Sequence, residues 1–457
     1  MSKSNQQLLF NISHLVTMDS QSSELKDAAI YIEDHRINWI GRTSEIPREY
    51  LENAEKIDMR GYVVLPGFIN THHHMFQSLT RAVPQAQDAE LFGWLKTLYP
   101  IWGKITPEMI NVSALTAMAE LMLSGCTTTS DHLYLFPNGS SLEDEISAAQ
   151  FIGIRFHAAR GSMSVGESLG GLPPDALVED EHFILKDTQR LIERWHDSSK
   201  YSMLHIVVAP CSPFSVSENL MRESALLARH YGVRLHTHLA ENMNDVLYSK
   251  EKFNQTPAQY AESLGWVGDD VWHAHCVHLD DSGIQLFGRS KTGVCHCPSS
   301  NMRLASGIAP VRQMLNAGVP VGLGVDGSAS NDSGNLIQEV RQVMLLQRVA
   351  NNDPQAMNAR QALRMATVGG AQVLGRNDIG SLQVGMAADM IGFKQEQLSF
   401  AGCIDPVAAI VFSPPSKLDF SMIHGKVRVK NGEILNLDLQ KHIAHHIQLS
   451  QQLMKKN

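Results

Sequence analysis

Residues 64–74 read VLPGFINTHHH. An apolar run about one strand long stops abruptly in three histidines. The same shape recurs at CTTTSDHLY (126–134), IRFHAAR (154–160), HIVVAPCS (205–212), RLHTHLAE (234–241), VWHAHCVHL (271–279), GVCHCPSS (293–300) and VPVGLGVDGS (319–328). Short apolar runs of this kind read as buried strands. Between them lie helical stretches. Thr106-Pro107-Glu108 caps NVSALTAMAELMLSG, and SENLMRESALLARHYG closes on Gly232, a cap with proline in the first turn and a glycine stop. Eight strand–helix units predict an α/β fold of the (β/α)8 TIM-barrel type rather than an open sheet. In such barrels the chemistry gathers at the C-terminal strand ends, and here each apolar run finishes in His, Cys, Asp or Glu.

Outward from the barrel, both chain ends read as β-hairpins. LLFNISHLVTMD, AAIYIEDHRINWIGR and KIDMRGYVVLPG precede it, while MAADMIGFK from Met386, AAIVFS from Ala408 and SMIHGKVRVKNGEIL from Ser421 follow it. Each half alone is short of core, so the two together predict one small β-sandwich domain. The expected boundaries are 1–65 and 381–435 for that domain, 66–380 for the barrel, and 436–457 for an amphipathic C-terminal helix that serves as a surface or subunit-packing element.

With 457 residues, 43% hydrophobic and 19% charged, the chain is an ordinary globular one, and its net charge of −9 offers no basic footprint for nucleic acid. No stretch reads as a signal peptide or a spanning helix. Six scattered cysteines suit reduced thiols in a cytoplasmic protein. The unusual number is 21 histidines, many of them clustered.

His72 and His74 stand one residue apart on a strand end, so both imidazoles face the barrel mouth. His238 closes the fifth strand with Glu241 three residues on, His275 closes the sixth, and Asp326 closes the eighth. Imidazoles with a carboxylate suit one divalent ion per chain, zinc before iron, with a position left for water. Any one of these residues alone reads as a hydrogen-bonded strand-end polar group; all of them at one end of successive strands read as a site. His273, His278 and His296 alternate to other faces and read as structural, as do Cys295 and Cys297 beside His296.

PGFINTHHH, HTHLAE, AHCVHL, CPSSNMRL and GVDGSASND, in this order and together with GSLQVGMAADM, resemble the amidohydrolase superfamily. The resemblance spans nearly the whole chain and is specific to the aminohydrolase branch with guanine deaminase and the triazine hydrolases. It implies His72, His74, His238 and Asp326 as metal ligands, Glu241 as the proton shuttle, and His275 as a hydrogen-bonding partner near the attacked carbon. Asp326 would also take the proton of the attacking water. No lysine stands in HIVVAPCS to bridge two metals, which favours one.

For the substrate, Gln77 follows His74 by three residues, the offset of the glutamine that contacts the base in guanine deaminase; a polar residue at a helix start is the alternative. Asn301 and Arg303 follow the seventh strand and are candidates for a substrate carbonyl, although a loop arginine is more often solvated. Ser330 and Asn331 lie just beyond Asp326. Cys211 replaces the histidine of the nucleoside deaminases, which points to a free base. The guanine deaminases' arginine–phenylalanine pair is absent, with only Phe214 nearby. RAVPQAQDAELFGWLKTLYPIW (81–102) looks like the subgroup of 8-oxoguanine deaminases, with Phe92 and Trp94 either a lid over the ring or the buried face of a helix. The expected reaction is hydrolytic deamination of a free purine-type base, 8-oxoguanine giving urate and ammonia. Isoxanthopterin, guanine and an amino- or chlorotriazine are the competing substrates. A catalytically dead scaffold on the same fold is the rival from another class, and it predicts missing ligands. The expected partners are a small heterocyclic base and further copies of the chain, with no nucleic acid and no membrane.

Overall fold

The computed structural model describes residues 5–415 and 417–455. Each of the eight apolar runs is a strand: β1 Phe68–Asn70, β2 Cys126–Leu133, β3 Arg155–Ser162, β4 Leu204–Pro210, β5 Arg234–Leu239, β6 Val271–His275, β7 Gly293–His296 and β8 Val321–Leu323. They pair in parallel in sequence order, and β8 closes on β1 through Leu323 opposite Asn70. The caps anticipated in the sequence operate as expected. The Thr106 hydroxyl accepts from Met109 N at the start of Pro107–Leu123, and Gly232 takes a φ of +67° at the end of Glu218–Tyr231, a conformation without steric cost only for glycine. Helices and strands share one large core in which Trp102, Trp266, Phe68 and Phe156 are buried.

The chain ends build one nine-stranded sheet. Tyr62–Pro66, which leads into β1, pairs antiparallel with Met390–Lys394, with Leu65 opposite Ile391. This ladder stitches the N-terminal hairpins to the C-terminal ones. Leu9, Ile12 and Ile30 from one end pack with Met390, Phe420 and Met422 from the other in a core of their own, as two halves too small to stand alone require. One segment departs from expectation. AAIVFS, read as a strand, lies in the helix Pro406–Phe412, because the Asp405 carboxylate accepts from Val407 N and Ala408 N and Pro406 presets the first turn. That cap outweighs the β-leaning Ile-Val-Phe run. The C-terminal helix runs over Leu439–Met454, with residues 456 and 457 outside the described residues, as are residues 1–4 of the N-terminal β segment. Among the described residues no helix is long and apolar enough to cross a membrane.

Candidate metal centre and active cavity

Beyond the last rung of β1 the chain makes a short parallel bridge, His73–His74 against Asp326–Gly327. This bridge carries both ends of the constellation to the barrel mouth, where His72 and His74 stand 4.6 Å apart between ring centroids. His73 turns away, and its Nδ1 accepts from the His74 backbone N–H.

Each imidazole is fixed by what its Nδ1 meets. His74 Nδ1–H donates to the His132 carbonyl at 2.7 Å, and His238 Nδ1–H to the Cys211 carbonyl at 2.6 Å. His72 Nδ1–H donates to His236 Nε2 at 2.8 Å, and His236 in turn donates from Nδ1 to the Trp272 carbonyl at 3.0 Å. All three rings therefore turn an unprotonated Nε2 to one point. His74 Nε2 and His238 Nε2 face each other at 3.1 Å, and Asp326 Oδ1 lies 3.1 Å from His72 Nε2 and 3.4 Å from His74 Nε2. Buried His72 Nε2 has no hydrogen-bond partner. Burial pushes His72 below its ordinary value, and drives His74 down to about 3 and His238 well below the usual range, so the rings are neutral. Neutral lone pairs facing one another at this distance repel unless a cation joins them. A tetrahedral ion with bonds of about 2.0–2.1 Å holds its ligand atoms about 3.3 Å apart, which matches the spacings here. The donor set thus fits one divalent metal ion.

Asp326 is buried at a φ of +61° and His275 at +70°, strained positions for non-glycine residues of the kind that cluster at functional sites. Burial opposes the charge of Asp326, and its carboxyl lies well below the usual range only with positive charge at His275, His72 and His74, the charge that a metal ion held by the neutral rings would supply. Its outer oxygen, Oδ2, accepts from Ser300 Oγ at 2.6 Å and Ser330 Oγ at 3.0 Å. His275 Nδ1–H donates to Asn301 Oδ1 at 2.9 Å, which aims Nε2 at Glu241 Oε2, 3.6 Å away. Burial, then Asp326 and Asp245, push the Glu241 carboxyl well above its ordinary value. The Glu241 backbone N–H donates to Asp245 Oδ2 at 2.9 Å, pinning the loop that presents it.

These groups floor a cleft at the barrel mouth with about 430 Å³ of empty space, the part open to solvent included. Gln77, Tyr134, Ser330 and Cys211 line it, and the helix Leu91–Trp102 roofs it with Leu91, Trp94 and Leu95. Trp94 is held by its indole N–H, which donates to the Ala329 carbonyl at 3.1 Å. The lid and the buried helix face weighed for this segment are thus one element. Phe92 packs instead on Phe214.

The expected residues divide. His72, His74, His238, Glu241, His275 and Asp326 converge, and Gln77, Trp94 and Ser330 reach the cavity. Asn301 and Arg303 do not line it: Asn301 orients His275, while the Arg303 guanidinium pairs with Asp332 at 2.9 Å and donates to the Ala86 and Gln87 carbonyls. Asn331 ties the Val325 carbonyl to Glu339. Of the histidines read as structural, His273 meets the Trp266 carbonyl and His278 the Ser306 carbonyl, while His296 is buried with neither ring nitrogen hydrogen-bonded. Sequence reading missed Ser300, His236 and Tyr134. It also missed His132, which lies with His72, His74 and His238 in a second, overlapping group of donors within 4.8 Å of one another. Its one signal was its place at the end of SDHLY.

The sequence model of the amidohydrolase family matches residues 63–428. An 8-oxoguanine deaminase from Pseudomonas aeruginosa is 44% identical, with 92% of this chain and 94% of that protein covered. An isoxanthopterin deaminase of unknown prokaryotic origin is 35% identical over 82% of this chain and 81% of its own. Among solved structures, an atrazine chlorohydrolase from Arthrobacter aurescens TC1 complexed with zinc superposes with a TM-score of 0.93 at 34% identity, covering 97% of this chain and 99% of that one. With the donor cluster at the mouth of the same barrel, the chain belongs to the amidohydrolase family, among hydrolases acting on the C–N bonds of cyclic amidines.

Proposed function

We propose that this protein is a zinc-dependent deaminase of a free oxopurine, converting 8-oxoguanine and water to urate and ammonia. The observation that carries the reading is the pairing of two unlike carboxyls at one centre. The Asp326 carboxyl lies well below its ordinary range, and burial pushes the Glu241 carboxyl, 3.6 Å from His275, well above its own. Carboxyls driven apart in this way take opposite roles, one as base and one as acid.

His72, His74, His238 and Asp326 would hold the ion, which supplies Lewis-acid chemistry and makes water a nucleophile at neutral pH. Asp326 accepts a proton from the attacking water and, fixed by Ser300 and Ser330, orients it toward the ring carbon that bears the amino group. Glu241 gives its proton to the adjoining ring nitrogen; as the C–N bond breaks, Asp326 passes the water's proton to the departing amine and Glu241 takes the proton of the new hydroxyl, so the oxo ring and ammonia form and both carboxyls are restored. His275 Nε2, aimed by Asn301, takes a hydrogen bond from the water as it attacks. Trp94 and Leu95 cover the ring face and exclude bulk water. The relative with 44% identity is an 8-oxoguanine deaminase, and among the described residues no lysine or arginine lines the cavity, which suits an uncharged flat base.

The test is ammonia release by metal-counted protein from 8-oxoguanine, guanine, isoxanthopterin, adenosine and a hydroxylated aminotriazine. The highest kcat/KM is expected with 8-oxoguanine. A higher value with isoxanthopterin or the triazine replaces the substrate and keeps the chemistry. No release from any ring at one metal per chain refutes the deaminase reading.

A further inference from the structure

Gln77 and Tyr134 form a corner of the cavity whose hydrogen-bonding sense can be worked out. The Ala329 backbone N–H can only donate, and it donates to Gln77 Oε1 at 3.4 Å. The amide oxygen is therefore turned out of the cavity, and Nε2 faces inward. One of its hydrogens goes to Tyr134 Oη at 3.3 Å; the other is free. Because Tyr134 Oη accepts from Gln77, its own hydrogen must point elsewhere, and no protein acceptor meets it although the residue is buried and lines the cavity. The neighbouring Tyr99 hydroxyl is engaged with Met163 Sδ.

The pair is held rigidly. The Gln77 amide lies on Gly327, where an added Cβ would fall 1.9 Å from Oε1. The Tyr134 ring stands edge-on to His74 at 4.9 Å and to Phe76 at 5.4 Å. This corner therefore offers the cavity two donor hydrogens, one on Gln77 Nε2 and one on Tyr134 Oη, next to the imidazole of His74.

Building on the deaminase reading, we propose that Tyr134 is a specificity-determining residue: with Gln77 it donates to one exocyclic oxygen of the ring substrate and rejects rings that carry an amino group or a hydrogen there. A buried donor left without its acceptor is costly, so a site built in this way discriminates strongly against the analogue that lacks the oxygen.

The test uses the metal-loaded Glu241→Gln protein, which retains the cavity and turns substrate over slowly. Dissociation constants are measured by calorimetry for 8-oxoguanine, guanine (no 8-oxygen) and 2-amino-8-oxopurine (no 6-oxygen), with and without Tyr134→Phe. Loss of Tyr134 should weaken 8-oxoguanine by about 10- to 100-fold and leave one of the two truncated rings unchanged, which identifies the oxygen. Equal weakening of all three rings, weakening of none, or no binding of any ring to the parent overturns the proposal. Rings that bind with this pattern while the wild-type protein releases no ammonia would sink the catalytic reading and leave this one standing.

Discussion

Asp326 has one oxygen beside the His72 and His74 imidazoles and the other between two serine hydroxyls, so charge and geometry can be separated at this residue. Asp326→Asn keeps the volume and most of the hydrogen bonds but removes the base. Turnover should fall by about 10²- to 10⁴-fold with circular dichroism unchanged; full activity would remove Asp326 from proton transfer. Glu241 gives the pH dependence. Its folded-state pKa is raised, so the acid form persists above the ordinary carboxyl range, and kcat/KM should fall as pH rises through the raised value. Burial pushes Asp245 up to about 6; above that pH it is ionised, and its charge helps keep the Glu241 proton on. Asp245→Asn retains an acceptor for the Glu241 N–H and deletes the charge, so the basic limb should move to lower pH. A superimposable profile would exclude that coupling. The candidate ligands were legible because a strand end states its own position: His72, His238 and Asp326 each close an apolar run. Ser300 and His236 were not, since nothing in the sequence says that a hydroxyl on the turn after β7 meets a carboxylate after β8. Arg303 misled for the same reason: the residues that claim it, Asp332 and the Ala86–Gln87 carbonyls, are neighbours only in space.

At the scale of elements, the turn Met75–Thr80 is gripped from both sides. Its inner face carries Gln77. On its outer face the C-terminal helix sends His446 Nε2 to Ser78 Oγ at 3.1 Å and Ser450 Oγ to the Leu79 carbonyl at 2.7 Å, and buries Leu449 and Leu453. That helix read as a surface or subunit-packing element, because amphipathicity reveals a buried face but not what it is buried against. The structure makes it a brace for the turn beside the metal centre. His446→Ala combined with Ser450→Ala should cost about 2 kcal/mol of stability, at roughly 1 kcal/mol per hydrogen bond, and should raise KM about 10-fold as Gln77 loses its seat. A lower melting temperature with an unchanged KM would make the brace purely structural. The helix Pro406–Phe412 teaches the complementary lesson: its signal was present in Asp405-Pro406, and a five-residue apolar run outvoted it.

The whole molecule joins a barrel, whose eight units could be counted along the chain, to a sheet whose strands come from opposite ends. The barrel was legible because each unit repeats the same apolar-to-polar switch within a short span. The seam was not, because it is made by residues far apart in sequence. Arg155, at the start of β3, donates from Nε to Asp389 Oδ2 at 2.9 Å and from Nη2 to Oδ1 at 3.2 Å across 234 residues, and its Nη1 reaches the Tyr201 and Ser202 carbonyls. Asp389 also accepts from the His424 backbone N–H at 2.7 Å, which draws the C-terminal hairpin onto the same point. Both side chains of the pair are buried, at 0% and 3% exposure. A charge pair this dry contributes little against a well-packed apolar replacement, yet removing one partner strands the other and costs about 3–5 kcal/mol. Arg155→Met should therefore destabilise the protein by that amount, read by urea unfolding followed both by far-ultraviolet dichroism and by tryptophan fluorescence. The double variant Arg155→Met, Asp389→Asn should recover more than half of the loss, because no buried charge is left unpaired. If the single and double variants unfold at the same urea concentration, the seam is held by the Leu65–Ile391 ladder and its apolar core, and the ion pair only marks where the two halves meet.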